Sequence, residues 1–382
     1  MFVFRREDLP VDPEFPADLQ KLGYFINDKD QIRKISDPAQ EFQYKINRNA
    51  RYNELQREAM NECIRKVVAV RLQELKLVTL RLPLASKPGD PHVPIMVSSN
   101  LSTASRVIVV FGEPSQDLGI WAYRSVGRDG VDAGSVVSFA KAVLSEPPTG
   151  TNASDTKRGD TALVLANTGQ LIWHCGAGRP MTLPSWMAHP RASAVDPPLM
   201  MTHRNQIPGN ADREEHTACV FNEILADRGR LVRGDARIQI IGVADGGLGA
   251  LRYLANHWED WRTSLCAIAL TNPLHSVDSE VAVRDGRSAP FLDFLSSRCR
   301  AYVISDEPQG FLVPGARQYG CNCYSSGENQ HIECIMPRAW AHMLEWLHLA
   351  SANPTLYEAQ LKMSDMTGSD SSDTLDSDGS QE

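Results

Sequence analysis

Ile240-Ile-Gly-Val-Ala-Asp-Gly-Gly-Leu-Gly249 is an apolar β-branched run that breaks into a glycine-rich turn and continues as a helical pattern. A buried strand entering a tight turn and then a helix is the setting of the nucleophile elbow, G-x-S-x-G, of α/β hydrolases. The turn needs small residues because larger side chains collide with the strand or the helix. Gly242 and Gly246 supply the two small positions and Gly247 continues the pattern, so the nucleophile position falls on Ala244, whose methyl carries no oxygen or sulfur. Shifting the register by one residue puts Asp245 at the tip, where a carboxylate can act as a covalent nucleophile, but the flanking positions become Val243 and Gly247. A plain strand–helix turn in a Rossmann-like sheet is also open. The dinucleotide fingerprint G-x-G-x-x-G is a poorer match, because Gly242 and Ala244 do not give its spacing.

Working outward, buried strands alternate with helices. Arg106–Phe111, Ala162–Ala166, Ile238–Val243, Leu265–Leu270, Ala301–Ile304 and Gln318–Tyr324 read as strands, with Val78–Leu82 and Ile95–Val97 before them. Helical spacing marks Ser135–Leu144, His216–Ala226, Leu248–Trp258, Ala289–Arg298 and Arg338–Leu349. This pattern predicts an α/β, α/β-hydrolase-like fold with a mostly parallel sheet covered by helices on both faces. Ahead of it stand a hairpin turning at Asn27–Asp30 and a long amphipathic helix, Arg51–Lys76. The expected organisation is an N-terminal extension, 1–14, and a single domain, 15–350, interrupted by an irregular proline-rich insertion, 145–213. A disordered acidic tail, 364–382, ends the chain. Serines beside aspartates in the tail are candidate phosphorylation sites, and a solvated acidic tail is the plainer reading.

In a hydrolase of this topology the acid follows a later strand and the histidine follows the last one. The acid position holds Asn272, with His275 nearby, and His331 is placed as the base. Where backbone N–H groups would receive an oxyanion stands Gly112-Glu113, and an inward carboxylate there opposes negative charge. Of a triad only the base is present, so no catalytic residues are expected. The turnover alternative uses Asp245 with His331. Cys321, Cys323, His331 and Cys334 form C-x-C-x7-H-x2-C, whose ligand types suit zinc and would make a zinc-stabilised structural domain. Core thiols are the competing reading, because Cys321 and Cys323 share one strand face and paired C-x2-C spacing is absent. No metal or cofactor is expected.

Composition narrows the function. The 382 residues carry a net charge of −8, and Asp365, Asp370, Asp373, Asp376, Asp378 and Glu382 follow the last lysine, leaving −2 on the body. A near-neutral body is a poor counterion-replacing surface, so direct nucleic-acid binding is not expected. No run of about 18 apolar residues offers a membrane span, and the N-terminus lacks the apolar core of a secretory signal. Eight scattered cysteines, several in apolar runs, point to a reducing compartment, nucleus or cytoplasm.

Several segments together resemble the Argonaute-binding protein two (Arb-two) family. They are Phe15-Pro-Ala-Asp-Leu-Gln-Lys-Leu-Gly-Tyr-Phe-Ile-Asn-Asp-Lys-Asp-Gln-Ile-Arg33, the Arg51–Lys76 helix, Val109-Val-Phe-Gly-Glu113, Trp121-Ala-Tyr-Arg-Ser125, Val243-Ala-Asp-Gly-Gly247, Ala269-Leu-Thr-Asn-Pro-Leu-His275 and Glu328-Asn-Gln-His331. The resemblance, to fungal-type members, rests on order and spacing from about 15 to 350. It implies an α/β-hydrolase-like scaffold working with an Argonaute small-RNA complex that supports heterochromatin. A related domain closes certain class II histone deacetylases. Relatives that keep serine at the elbow and a carboxylate after the later strand differ from this chain at Ala244 and Asn272, whereas His275 and His331 match. The resemblance therefore implies a non-catalytic adaptor in RNA-interference or deacetylase-linked silencing, with Argonaute or histone-deacetylase complex subunits as partners.

Overall fold

The computed structural model describes residues 11–145, 160–191, 193, 196–197, 199–281, 289–353 and 358. The elements in chain order are β1 (Tyr24–Ile26), β2 (Ile32–Lys34), α1 (Ala50–Glu74), β3 (Leu77–Leu82), β4 (Val93–Ser98), β5 (Arg106–Phe111), α2 (Tyr123–Arg128), α3 (Val137–Ser145) and β6 (Thr161–Leu165). There follow β7 (Ile172–His174), β8 (Arg179–Met181), α4 (Leu183–Met187), α5 (Arg213–Cys219), β9 (Arg237–Val243), α6 (Asp245–Asn256), α7 (Trp258–Trp261), β10 (Leu265–Thr271) and α8 (Ala289–Arg298). The last are β11 (Cys299–Val303), β12 (Leu312–Val313), α9 (Ala316–Tyr319), β13 (Asn322–Ser325) and α10 (Ile335–Ala352).

Among the described residues one nine-stranded sheet runs β12-β13-β11-β10-β9-β5-β6-β4-β3. From β6 through β13 neighbouring strands are parallel, while β4 is antiparallel to both β3 and β6, and β12 closes the other edge antiparallel to β13. This is the α/β-hydrolase-like class. Alternation along β5 shows why helices cover both faces. Ile108 and Val110 pack with Met60, Ile64 and Val68 of α1, Phe139 of α3 and Leu347 of α10. Val107, Val109 and Phe111 point the other way, among Phe221, Leu251 and Trp258. All five are essentially excluded from water, each contributing roughly 1.5–3 kcal/mol of burial. β9 lies beside β5 at the centre of the sheet, so the turn that follows it opens at mid-sheet.

Two expectations need correction. Gln318–Tyr324 is not one strand: Ala316–Tyr319 is a helical turn ended by Gly320 at φ 66°, whose N–H bonds back to Ala316 O, and β13 begins at Asn322. The 145–213 segment holds more than the strand expected at Ala162–Ala166, which is β6: the hairpin β7–β8 and α4 also lie within it, so it is not irregular throughout. Residues 146–159 of that segment lie outside the described residues, as does the acidic tail 364–382. Asp12 is buried and paired with Arg51 at 2.8 Å, and residues 1–10 lie outside the described residues.

Candidate functional site

Ala244 sits between β9 and α6 at φ 46° and ψ −116°, a conformation an L-residue adopts only under constraint. Its N–H donates to Thr271 O at 2.9 Å, tying the turn to β10. The neighbouring glycines are required by contact. A Cβ on Gly242 would lie 2.4 Å from Gly247 Cα, and one on Gly246 would lie 2.3 Å from Gly112 O and 2.6 Å from Phe111 O. The chain thus builds the sharp elbow and presses the start of α6 onto the loop after β5, with a methyl group at the tip.

Asp245 is not at the tip. It is the first residue of α6, and its carboxylate pairs with Arg213 at the start of α5. Asn272 leaves β10 at φ 45°, a region asparagine tolerates better than most residues, and its N–H donates to Tyr302 O at 3.0 Å. His275 is buried, and its Nε2 lies 2.9 Å from Tyr319 O, so this ring ties the β10 loop to α9. His331 is half-buried in the turn after β13, where its backbone N–H donates to Glu328 Oε1 at 3.2 Å.

Glu113 faces this region. Burial raises its carboxyl above the usual range, and the nearby Asp245 and Glu333 carboxylates add to the shift. Arg213 neutralises Asp245 and Arg124 neutralises Glu333, the latter at 2.9 Å. No ion pair or hydrogen bond to the Glu113 carboxylate occurs among the described residues. An oxyanion beside Glu113 would meet negative charge rather than donors. Gly112 O is occupied, accepting from Thr168 Oγ1.

His216 of α5, fully buried, braces the same loops. Its Nδ1 is 2.7 Å from Asn210 Oδ1 and its Nε2 accepts from Asn167 N–H at 3.0 Å. Asn167 directly precedes the Thr168 that holds Gly112. Burial pushes the imidazole down to about 3, so the ring is neutral and carries its proton on Nδ1.

A cleft of about 470 Å³ opens beside Glu113, between α1, the β5–α2 loop, α4 and Glu333. Arg51 sets its α4 wall by bonding Asp12, Met187 O and His189 O at once. Arg213, Glu333 and the cleft residue Asn61 escaped sequence reasoning, and Trp121 entered it only within the Trp121–Ser125 segment. Arg213 is separated from Asp245 by a whole strand, and nothing local links them.

The four residues of the zinc pattern are not brought together. Cys321 packs against Cys299, which raises its thiol further than burial alone. Cys334 instead accepts from Ser125 Oγ at 3.4 Å. Among the described residues no cluster of three or more His, Cys, Asp or Glu is placed to hold a metal ion.

The human Cotranscriptional regulator ARB2A is 20% identical over 352 residues, covering 86% of this chain and 79% of the relative. Its Xenopus tropicalis homolog is 22% identical over 363 residues, covering 86% and 78%. A solved histone deacetylase structure from Saccharomyces cerevisiae is similar at 14% identity and TM-score 0.40, covering 74% of this chain and 96% of that one. A bacterial heroin esterase is similar at 13% identity and TM-score 0.33, covering 76% and 92%. The sequence pattern of the Arb2 domain matches residues 15–309, more than three quarters of the chain, and the chain belongs to the Arb2 domain family.

Proposed function

We propose that this chain is a non-catalytic adaptor in gene silencing, joining an Argonaute or a histone-deacetylase complex in the nucleus, with a cytoplasmic pool allowed. Residues 15–350 act as one domain. The observation that carries the proposal is Ala244: the elbow keeps its strained geometry and its glycine contacts while presenting only a methyl group. The unpaired Glu113 beside the elbow adds to it, because this carboxylate opposes the charge that acyl transfer develops. The relatives' description as cotranscriptional regulators supports a place in gene regulation. The near-neutral body supports protein partners over direct RNA contact. Among the described residues no helix is long and apolar enough to cross a membrane.

The test is affinity purification of the tagged chain from its own cells, with nuclease treatment, followed by mass spectrometry. An Argonaute or a histone deacetylase that survives nuclease supports the adaptor reading. A chain recovered without either overturns it. The rival, a hydrolase using Asp245 and His331, has the Asp245 carboxylate already engaged by Arg213 and set off the elbow tip.

A further inference from the structure

His174 of β7 and His189, just past α4, lie ring against ring, with centroids 4.3 Å apart and planes 37° from parallel. Trp186 of α4 packs edge-on against His174 at 5.5 Å, so the pair joins the β7–β8 hairpin to α4. His174 can take up a proton only by losing a bond. Its Nδ1 accepts from Ala177 N–H at 2.8 Å, closing the hairpin turn together with Gly178 N–H to His174 O at 2.8 Å. The ring proton therefore sits on Nε2, and a second proton would set a donor against the Ala177 donor. The same tautomer leaves Nε2 no lone pair for a metal ion, so the pair is not arranged as a chelate.

The charges around the pair do not offset a proton. Arg179 of β8 and Arg51 of α1 are the cations that reach it. The carboxylates nearby are already engaged: Glu62 faces Arg179 at 3.7 Å, and Asp12 and Glu54 meet Arg51 at 2.8 and 3.0 Å. The turn that Asn205 Nδ2 ties to Trp173 O adds only His203 and Arg204. Among the described residues neither imidazole bonds a carboxylate. We propose that the His174–His189 contact is a pH-sensitive latch, which holds α4 on the β7–β8 hairpin near neutral pH and releases it when the imidazoles take up protons. Thr182, Pro184 and Ser185 line the cleft beside Glu113, so release moves that wall. Burial lowers both rings from 6.5, and their positive neighbours lower them further. Because the latched values are depressed, the latch is complete above 6.5 and weakens as pH falls below it.

The test is hydrogen–deuterium exchange of the full-length chain at pH 7.5 and 5.0, corrected for intrinsic exchange rates. The reporters are the Trp186, Ala188 and His189 amides of the α4 turn and the Ala177 amide of the hairpin. Amides of β5 report global unfolding. Acid acts on the whole molecule, His216 included, so the loss of protection is read against a variant. His189→Phe keeps a stacked ring and removes one titration, and His189→Gln is a second neutral replacement. A ring kept wholly neutral in the latched form favours release about thirtyfold at pH 5.0, and a partly depressed one less. On acidification the wild-type α4 and hairpin amides should therefore lose about fivefold or more protection beyond the loss in either variant. At pH 5.0 they should exchange about tenfold or more faster than β5 amides, as a local opening requires. Equal losses in wild type and both variants, or α4 amides no faster than β5 amides at pH 5.0, overturn the latch. The adaptor reading is untouched by either outcome, since it needs no acid-induced opening.

Discussion

Lowering the pH from 7.5 to 5.0 should destabilise this protein through His216, by an amount the structure sets. The imidazole is fully buried and holds its neutral form, with a folded-state value of about 3 against 6.5 for the exposed side chain. Because the folded value is depressed, the unfolded chain takes the proton first. The stabilising contribution is complete above 6.5, shrinks as pH falls below it, and goes on shrinking until about 3. At pH 5.0 the difference is about 2 kcal/mol, since the unfolded histidine is then almost wholly protonated and the folded one is not. Unfolding entropy near 2.1 cal/mol/K per residue converts this to a drop of about 2–3 °C in Tm. Urea unfolding of wild type and His216→Gln at both pH values isolates the term, because every other titrating group is common to both proteins. His216→Gln should be less stable at pH 7.5, having lost part of the Asn210 and Asn167 bonding, and should lose about 2 kcal/mol less on acidification. Equal losses in the two proteins would refute the neutral, buried assignment and the loop-bracing role built on it.

Gly246→Ala should cost about 3 kcal/mol or more, because its Cβ meets two backbone carbonyls that cannot yield, whereas Gly127→Ala, with nothing within 4 Å, should be neutral or slightly stabilising. Urea midpoints compare the two. Arg51→Ala should cost about 3 kcal/mol by removing the ion pair of the buried Asp12 carboxylate, which keeps only the Arg191 backbone N–H, and proteolysis near Met187 should accelerate as α4 loses its tether. Glu113 has a raised folded-state value, so its favourable contribution exists below its ordinary carboxylate range and is lost as pH rises through the folded value. Glu113→Gln should therefore raise the Tm at pH 7.5, with the gain disappearing toward pH 4.

Strands were legible where burial on both faces leaves a continuous apolar run: Arg106–Phe111 matches β5 to the residue, and Ala289–Arg298 matches α8. The elbow was legible because its glycines are demanded by backbone contacts only a few residues apart. Elements without periodicity were not. β7, β8 and β12 are two or three residues long, too short to repeat a pattern, and α4 is set by the Thr182 cap and Pro184 rather than by an apolar stripe. The candidate site divides in the same way. Ala244 and Asn272, singled out from position in the sequence, both take positive φ in the turns after β9 and β10. His275 was placed near the site by sequence but turns to Tyr319, because a buried imidazole must find a partner wherever packing offers one. Arg213 pairs with Asp245 and Arg124 with Glu333, leaving Glu113 without an ion pair among the described residues, and only the fold brings these arginines there.

The proposed adaptor role requires that the elbow turn over no substrate. The most direct measurement is the hydrolysis of 4-nitrophenyl acetate by purified wild type, Asp245→Asn and His331→Ala at equal concentration. The account predicts the same slow rate from all three, set by adventitious surface groups. Turnover by wild type that both substitutions abolish would contradict it and establish a working hydrolase in their place.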